Sequence, residues 1–218
     1  AGDSATLCTS NPEVRRWMSD ALASVFTQVP GLGGVFTITA SENPTSCASH
    51  GTGQQAKCAR CKSRPYADII AEVNATIAQG VARGNPSAKT IVWDWGWNDA
   101  HAGEIIAKLP KTCWFQSVSE WSLPIERGGV KSAIGEYSIS AVGPGPRATK
   151  HWAFARAAGL KTSAKVQVSA TWEFSAVPYL PTMDLVAEHA RNLSSAGVNG
   201  LMLSWSLGCY PSPNLEVF

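Results

Sequence analysis

Apolar residues along the chain follow two alternating periods. From Pro12 to Gln28 they recur at helical spacing, with Val14, Trp17, Met18, Ala21, Val25 and Phe26 near one face. Asn11-Pro12 offers an N-cap followed by proline at the first helical position, and Pro30-Gly31 stops the segment. The next stretch, 34–40, is a β-branched, apolar strand that gives way to Ser41, Glu42 and Asn43. The same shape recurs at 90–95, 113–119, 164–171 and 200–206. Helices are predicted between these strands at 65–83, 99–108, 147–158 and 182–196; in the first, Ile69, Val73, Ile77 and Val81 mark the helical face. Two segments break the rhythm. Residues 43–64 form a polar, cysteine-rich loop. Residues 122–146 read as an insertion, with a hairpin turn at Gly128-Gly129 and an extra strand at 135–140. The tail, 211–218, is predicted to open a further helix.

Near-continuous apolar strands separated by helices predict an α/β fold: a parallel sheet with right-handed crossovers, buried on both faces. Five such strands are too few to close an eight-stranded barrel. The expectation is a partial (β/α)8 (TIM) barrel, roughly strands four to eight, in one domain spanning 1–218; an open doubly wound sheet is the alternative. A half-barrel leaves open strand edges, so self-association through exposed sheet edges is expected.

Composition narrows the function classes. The 218 residues are 44% hydrophobic and only 16% charged, which suits buried strand rather than disorder. A net charge of +2 gives no reason to expect nucleic acid or an acidic membrane surface, and no apolar run approaches the roughly 20 residues that span a bilayer. No phosphate-cradling glycine loop follows a strand and no serine elbow is present, so neither an organic cofactor nor an α/β-hydrolase is expected. Nine tryptophans are many for this length, and carbohydrate sites use the flat indole face to stack on sugar rings.

Four predicted strand exits carry an acid: Glu42, Asp94, Glu120 and Glu173. The last three each have tryptophan as a chain neighbour. Ligand crevices lie at the carboxyl ends of parallel strands, and glycoside hydrolysis needs two carboxyl groups flanking the scissile bond. Counting from strand four places Glu42 after strand four and Glu173 after strand seven, as acid/base and as nucleophile or base. Asp94 and Glu120 would orient sugar hydroxyls. Asn43, Trp95, Trp97, Asn98, Trp121, Trp172 and Trp205 are the candidate substrate-binding residues. For each acid taken alone, capping the next helix or pairing with arginine is the competing structural explanation.

Ile38-Thr39-Ala40-Ser41-Glu42-Asn43, the cysteine loop, Ile91-Val92-Trp93-Asp94-Trp95, Thr171-Trp172-Glu173 and Leu203-Ser204-Trp205-Ser206-Leu207-Gly208 together resemble (β/α)8 glycoside hydrolases, in particular the α-glucuronidase-like and β-hexosaminidase-like groups. The resemblance implies a site on that strand-exit face with Glu42 as the acid. The hexosaminidase pattern has aspartate before its acid, where this chain has Ser41, which points away from substrate-assisted hydrolysis.

Cys47-x2-His50-x7-Cys58-x2-Cys61 matches a tetrahedral zinc site in ligand type and number, with basic neighbours Lys57, Arg60, Lys62 and Arg64. A disulfide within the loop and free thiols are the competing states, and Cys8 or water could take the fourth position. Cys113 reads as a small buried hydrophobe, while Cys8 and Cys209 remain unplaced. His101, His151 and His189 fall in or near helices and read as surface or packing residues, with His101 the one to test. Thiols favour an intracellular compartment and a polysaccharide substrate favours secretion, so the localisation stays open. Two other readings accompany a glycosidase: a non-catalytic carbohydrate-binding half-barrel, and a zinc-stabilised interaction module.

Overall fold

A computed structural model describes residues 6–41, 44–169, 176–177, 180–205 and 211–218. The fold is α/β, a five-stranded parallel sheet alternating with helices, as expected of a partial (β/α)8 barrel. The chain divides into two compact units. One holds the chain up to Phe115 together with Phe154–Leu160; the other holds Gln116–Ala153 and Lys161 onward.

In the first unit, α1 (Pro12–Gln28) starts as the sequence predicts, with the Asn11 side chain accepting from the Glu13 amide at 3.0 Å. Strand β1 (Gly34–Ile38) follows, then a short α2 (Thr52–Gln55) inside the cysteine loop. Helix α3 (Tyr66–Gly84) is buried nearly all round through Ile69, Ile70, Val73 and Val81. Each such side chain contributes roughly 1.5–3 kcal/mol on burial. At Gly80 an added Cβ would lie 2.6 Å from the Ser19 carbonyl oxygen, so the missing side chain is what lets α3 approach α1. Strand β2 (Lys89–Trp93) pairs in parallel with β1, from Gly34 opposite Lys89 to Ile38 opposite Trp93. Helix α4 (Asp99–Lys108) closes this part.

Strand β3 (Trp114–Val118) leads into the second unit. There β4 (Pro124–Arg127) and β5 (Val130–Ala133) form the hairpin expected around Gly128-Gly129. The extra strand expected at 135–140 is absent; that stretch is irregular. Helix α5 (Pro146–Ala157) precedes β6 (Lys161–Val166), and the Trp152 indole donates to the Ser163 carbonyl at 3.0 Å. Helix α6 (Met183–Ser195), β7 (Gly200–Leu203) and the expected closing helix α7 (Pro213–Val217) complete the chain. The sheet order is β1-β2-β3-β6-β7, and β6 pairs in parallel with β7. Both terminal strands carry exposed apolar residues: Phe36 on β1, and Leu201 and Leu203 on β7.

All five strands of the sheet end before their apolar runs do; after β1 and β6 the next backbone groups find other partners, and after β7 the backbone turns. After β1, the Thr39 carbonyl accepts from Thr45 Oγ1 at 3.0 Å. After β6, the amide of Gln167 donates to Glu120 Oε1 at 2.9 Å, and those of Val168 and Ser169 to Ser204 Oγ at 3.1 and 2.8 Å. After β7, Ser204 turns the chain with a φ of 69°, a conformation uncommon outside glycine. Strand β6 also starts earlier than predicted, at Lys161, just beyond the left-handed Gly159. No helix among the described residues is long and apolar enough to cross a membrane.

Candidate functional site

Glu42, Asn43, Trp172 and Glu173, four of the sequence-predicted site residues, lie outside the described residues. The other two acids stand where parallel strands end. Asp94 immediately follows β2 and Glu120 comes two residues after β3, and both are fully buried.

In the first unit the β1 and β2 exits are locked together. Gly96 adopts a φ of +71°, and a Cβ there would come within 1.6 Å of the Ala40 carbonyl oxygen, so only glycine fits. Beneath them lies a neutral polar network. Thr37 Oγ1 donates to Asn74 Oδ1 at 2.6 Å, Asn74 Nδ2 donates to Thr39 Oγ1 at 3.3 Å and to the Ile70 carbonyl at 2.9 Å, and the Trp97 indole donates to Thr39 Oγ1 at 3.2 Å. Trp97 is thus a buried residue with its N–H engaged, its ring 6.1 Å from that of Phe115. Asn98 is the N-cap of α4, accepting from the Ala100 amide at 3.0 Å, which is the helix-capping alternative to a substrate contact. Trp95 is half-buried, its ring tilted by 51° against that of Trp93 with the centroids 5.3 Å apart.

The second unit holds a buried ionisable cluster around Glu120. Besides the Gln167 amide, Glu120 Oε1 has His189 Nδ1 at 3.9 Å, beyond hydrogen-bonding distance. His189 Nε2 is 2.7 Å from Ser119 Oγ, and burial depresses its pKa to about 4, outweighing the nearby carboxylate. Gly143 lies against this pair; a Cβ there would approach His189 Nε2 and Ser119 Oγ to 2.7 Å each. Lys165 is fully buried, its Nζ donating to Gln167 Oε1 at 3.1 Å and sitting 3.5 Å from the Tyr137 ring centroid. Arg147 donates to Ser117 Oγ at 3.2 Å and stacks 4.4 Å over Trp121. Tyr137 belongs to the predicted insertion, which therefore contributes directly to this cluster. Trp205 is half-buried two residues past β7.

The cysteine loop carries a second cluster, in the first unit. The sulfurs of Cys8, Cys58 and Cys61 lie within 4.8 Å of one another and could hold a metal ion. Cys8 Sγ is 3.7 Å from Cys61 Sγ, and Ser10 Oγ is 3.1 Å from the same sulfur. Cys47 is buried in the same loop, and its pKa is raised by burial first and then by the neighbouring Cys61 and Cys58. Burial also raises Cys61, whereas the Arg60 backbone amide, helped by that of Cys61, lowers Cys58. Arg64 reaches Ser10 Oγ and grips Glu72 with two bonds of 3.0 and 3.1 Å. His50, included in the sequence-based ligand set, is exposed and is not one of the gathered residues; Cys8 is. Cys113 is buried in the strand region as expected, its pKa pushed up to about 12 by burial.

Several members of these clusters escape the sequence reading. His189, read as a surface or packing residue, lies on the buried face of α6 with Val186 and Leu193, a spacing visible in the sequence. Lys165 lies between Ala164 and Val166 inside a parallel strand, itself a signal because such strands are buried on both faces. Arg147 carries no local pattern that would single it out, whereas Cys8, a candidate for the fourth ligand position in the sequence, is among the gathered thiols. Comparison with protein families, with curated proteins and with solved structures gives no match.

Proposed function

We propose that the protein is a glycoside hydrolase, or part of one, that cleaves O-glycosidic bonds with carboxyl groups set at the carboxyl ends of its parallel strands. The observation that carries this reading is the placement of Asp94 and Glu120, two fully buried carboxyl groups at successive strand exits. The carboxyl ends of parallel strands are where acids hold a sugar ring or take part in its hydrolysis. Glu42 and Glu173 supply the acid/base and the nucleophile or base in this proposal, with Asp94 and Glu120 orienting hydroxyl groups. The half-buried Trp95 and Trp121 offer ring faces for sugar stacking. The cysteine cluster belongs to the scaffold, with zinc as a structural ion.

Chromophore release from a broad aryl-glycoside panel that includes uronides and N-acetylhexosaminides tests the reading. Turnover that Glu42→Gln and Glu173→Gln each reduce by at least about a hundredfold is expected. Turnover within a few-fold of wild type in both variants refutes the carboxylate assignment. Quenching of tryptophan fluorescence by sugars without turnover would instead make the protein a carbohydrate-binding module.

A further inference from the structure

We propose that Cys8, Cys47, Cys58 and Cys61 form a closed tetrathiolate site for zinc, in which Cys8 and Cys47 complete the ligand set and His50 takes no part. The inference rests on the cysteines alone and stands independently of the hydrolase reading. In a tetrahedral site with Zn–S bonds of about 2.3 Å, neighbouring sulfurs stand about 3.8 Å apart. The Cys8–Cys61 separation of 3.7 Å matches that edge and is far too long for a disulfide. Cys58 joins both within 4.8 Å, and Cys47 is buried in the same loop.

The backbone supports the same geometry. Cys58-Ala59-Arg60-Cys61 turns tightly, with the Cys61 amide 3.2 Å from the Cys58 carbonyl and the Lys62 amide 2.9 Å from it. Gln55 Nε2 fixes the turn from the other side by donating to the Cys61 carbonyl at 3.1 Å. Cys47 and Cys61 are buried, so the site is closed and leaves no position for substrate, the mark of a structural ion. Four thiolates on Zn2+ carry a formal charge of −2, and Lys57, Arg60, Lys62 and Arg64 surround that charge in sequence. Binding displaces the remaining thiol protons to solvent and the ion's water with them. The ion then staples the segment that leads into α1 to the loop between β1 and α3, where Thr6 Oγ1 already donates to the Pro44 carbonyl at 3.0 Å.

Elemental analysis of the full chain purified without chelator, with Co2+ substitution and zinc-chelator competition on variants, tests the site. One zinc per chain is expected, with His50→Ala unchanged. Cys8→Ser and Cys47→Ser should each weaken zinc binding at least about tenfold and lower the thiolate-to-cobalt charge-transfer intensity per ion. Should Cys8→Ser fail to fold, Cys8→His restores a ligand and is expected to bind cobalt tetrahedrally with a shifted spectrum. Loss of zinc in His50→Ala overturns the ligand set, as does full-affinity zinc binding in Cys8→Ser or Cys47→Ser. A wild-type chain that neither contains zinc nor takes it up on reconstitution, or that carries these cysteines as disulfides, overturns the site.

Discussion

Asn74→Ala probes what holds the β1 exit in place. Asn74 is fully buried on α3 and forms three hydrogen bonds, to Thr37 at 2.6 Å, Thr39 at 3.3 Å and the Ile70 carbonyl at 2.9 Å. Thr39 also receives the Trp97 indole, so the amide supports two strand exits through one side chain. Each bond contributes about 1 kcal/mol net, and a donor or acceptor left unsatisfied in the interior costs about 1–3 kcal/mol. The 3.3 Å bond contributes least, and the Ile70 carbonyl still belongs to its helix. The expected loss is therefore about 3 kcal/mol, which lowers the melting temperature by about 6–12 °C for a chain of this size. Urea unfolding followed by tryptophan fluorescence and far-ultraviolet circular dichroism measures it. A cycle with Thr37→Val should show a coupling of about 1–2 kcal/mol, because the 2.6 Å bond is the pair's direct link. A loss under about 1 kcal/mol, or additive single effects, refutes the claim that this network pins the exit.

His189 makes stability depend on pH in a defined window. Its folded pKa of about 4 lies below the ordinary 6.5, so the unfolded chain takes the proton first as pH falls. The contribution is complete above pH 6.5, is lost between 6.5 and about 4, and amounts to about 3 kcal/mol across that window. His189→Gln should flatten this slope in urea midpoints measured at several pH values; identical profiles for variant and wild type would exclude the assignment. Lys165→Met tests the buried ammonium: on the hydrolase proposal, glycoside turnover should fall at least about tenfold, while stability changes by less than about 1 kcal/mol or rises because an apolar side chain spares the desolvation of the charge. A loss of about 3 kcal/mol with turnover per folded molecule unchanged would make Lys165 a scaffold residue.

Period and punctuation make the α/β alternation legible in the sequence. Asn11-Pro12 starts α1, Gly128-Gly129 turns the β4–β5 hairpin, and the apolar runs mark all five strands of the sheet. Strand ends are less legible because distant side chains decide them. Glu120 and Ser204 capture the amides after β6, and neither lies within thirty residues of Gln167. Likewise, ligand spacing within one loop makes His50 look like the partner of the thiols. Cys8 reaches them from more than fifty residues away from Cys61, through the packing of the segment before α1. The sequence likewise gives no sign that the Trp97 N–H, beside a strand exit, is bonded to Thr39 in the interior.

The two units solve the problem of a polar strand exit differently, and the difference separates scaffold from chemistry. In the first, Thr37, Thr39 and Asn74 are neutral, fully buried and mutually bonded, an arrangement that costs little beyond desolvating amides and hydroxyls. In the second, a carboxyl group, an ammonium, a guanidinium and an imidazole are buried near the β3 and β6 exits. Removing each ion from water costs several kcal/mol, and mutual attraction offsets this only with well-placed partners. The fold does not require that expense, since the neutral network holds the β1 exit without it. Backbone strain accumulates in the same unit, where Ser204 holds its left-handed φ while its hydroxyl binds two amides beyond β6. Several ionisable groups buried together at one place, with Asp94 buried alike at the β2 exit, are what a site imposes on a scaffold. On that argument and on the hydrolase proposal, Glu120 and its neighbours, more than the neutral exit of β1, are where substitutions should cost activity more than stability.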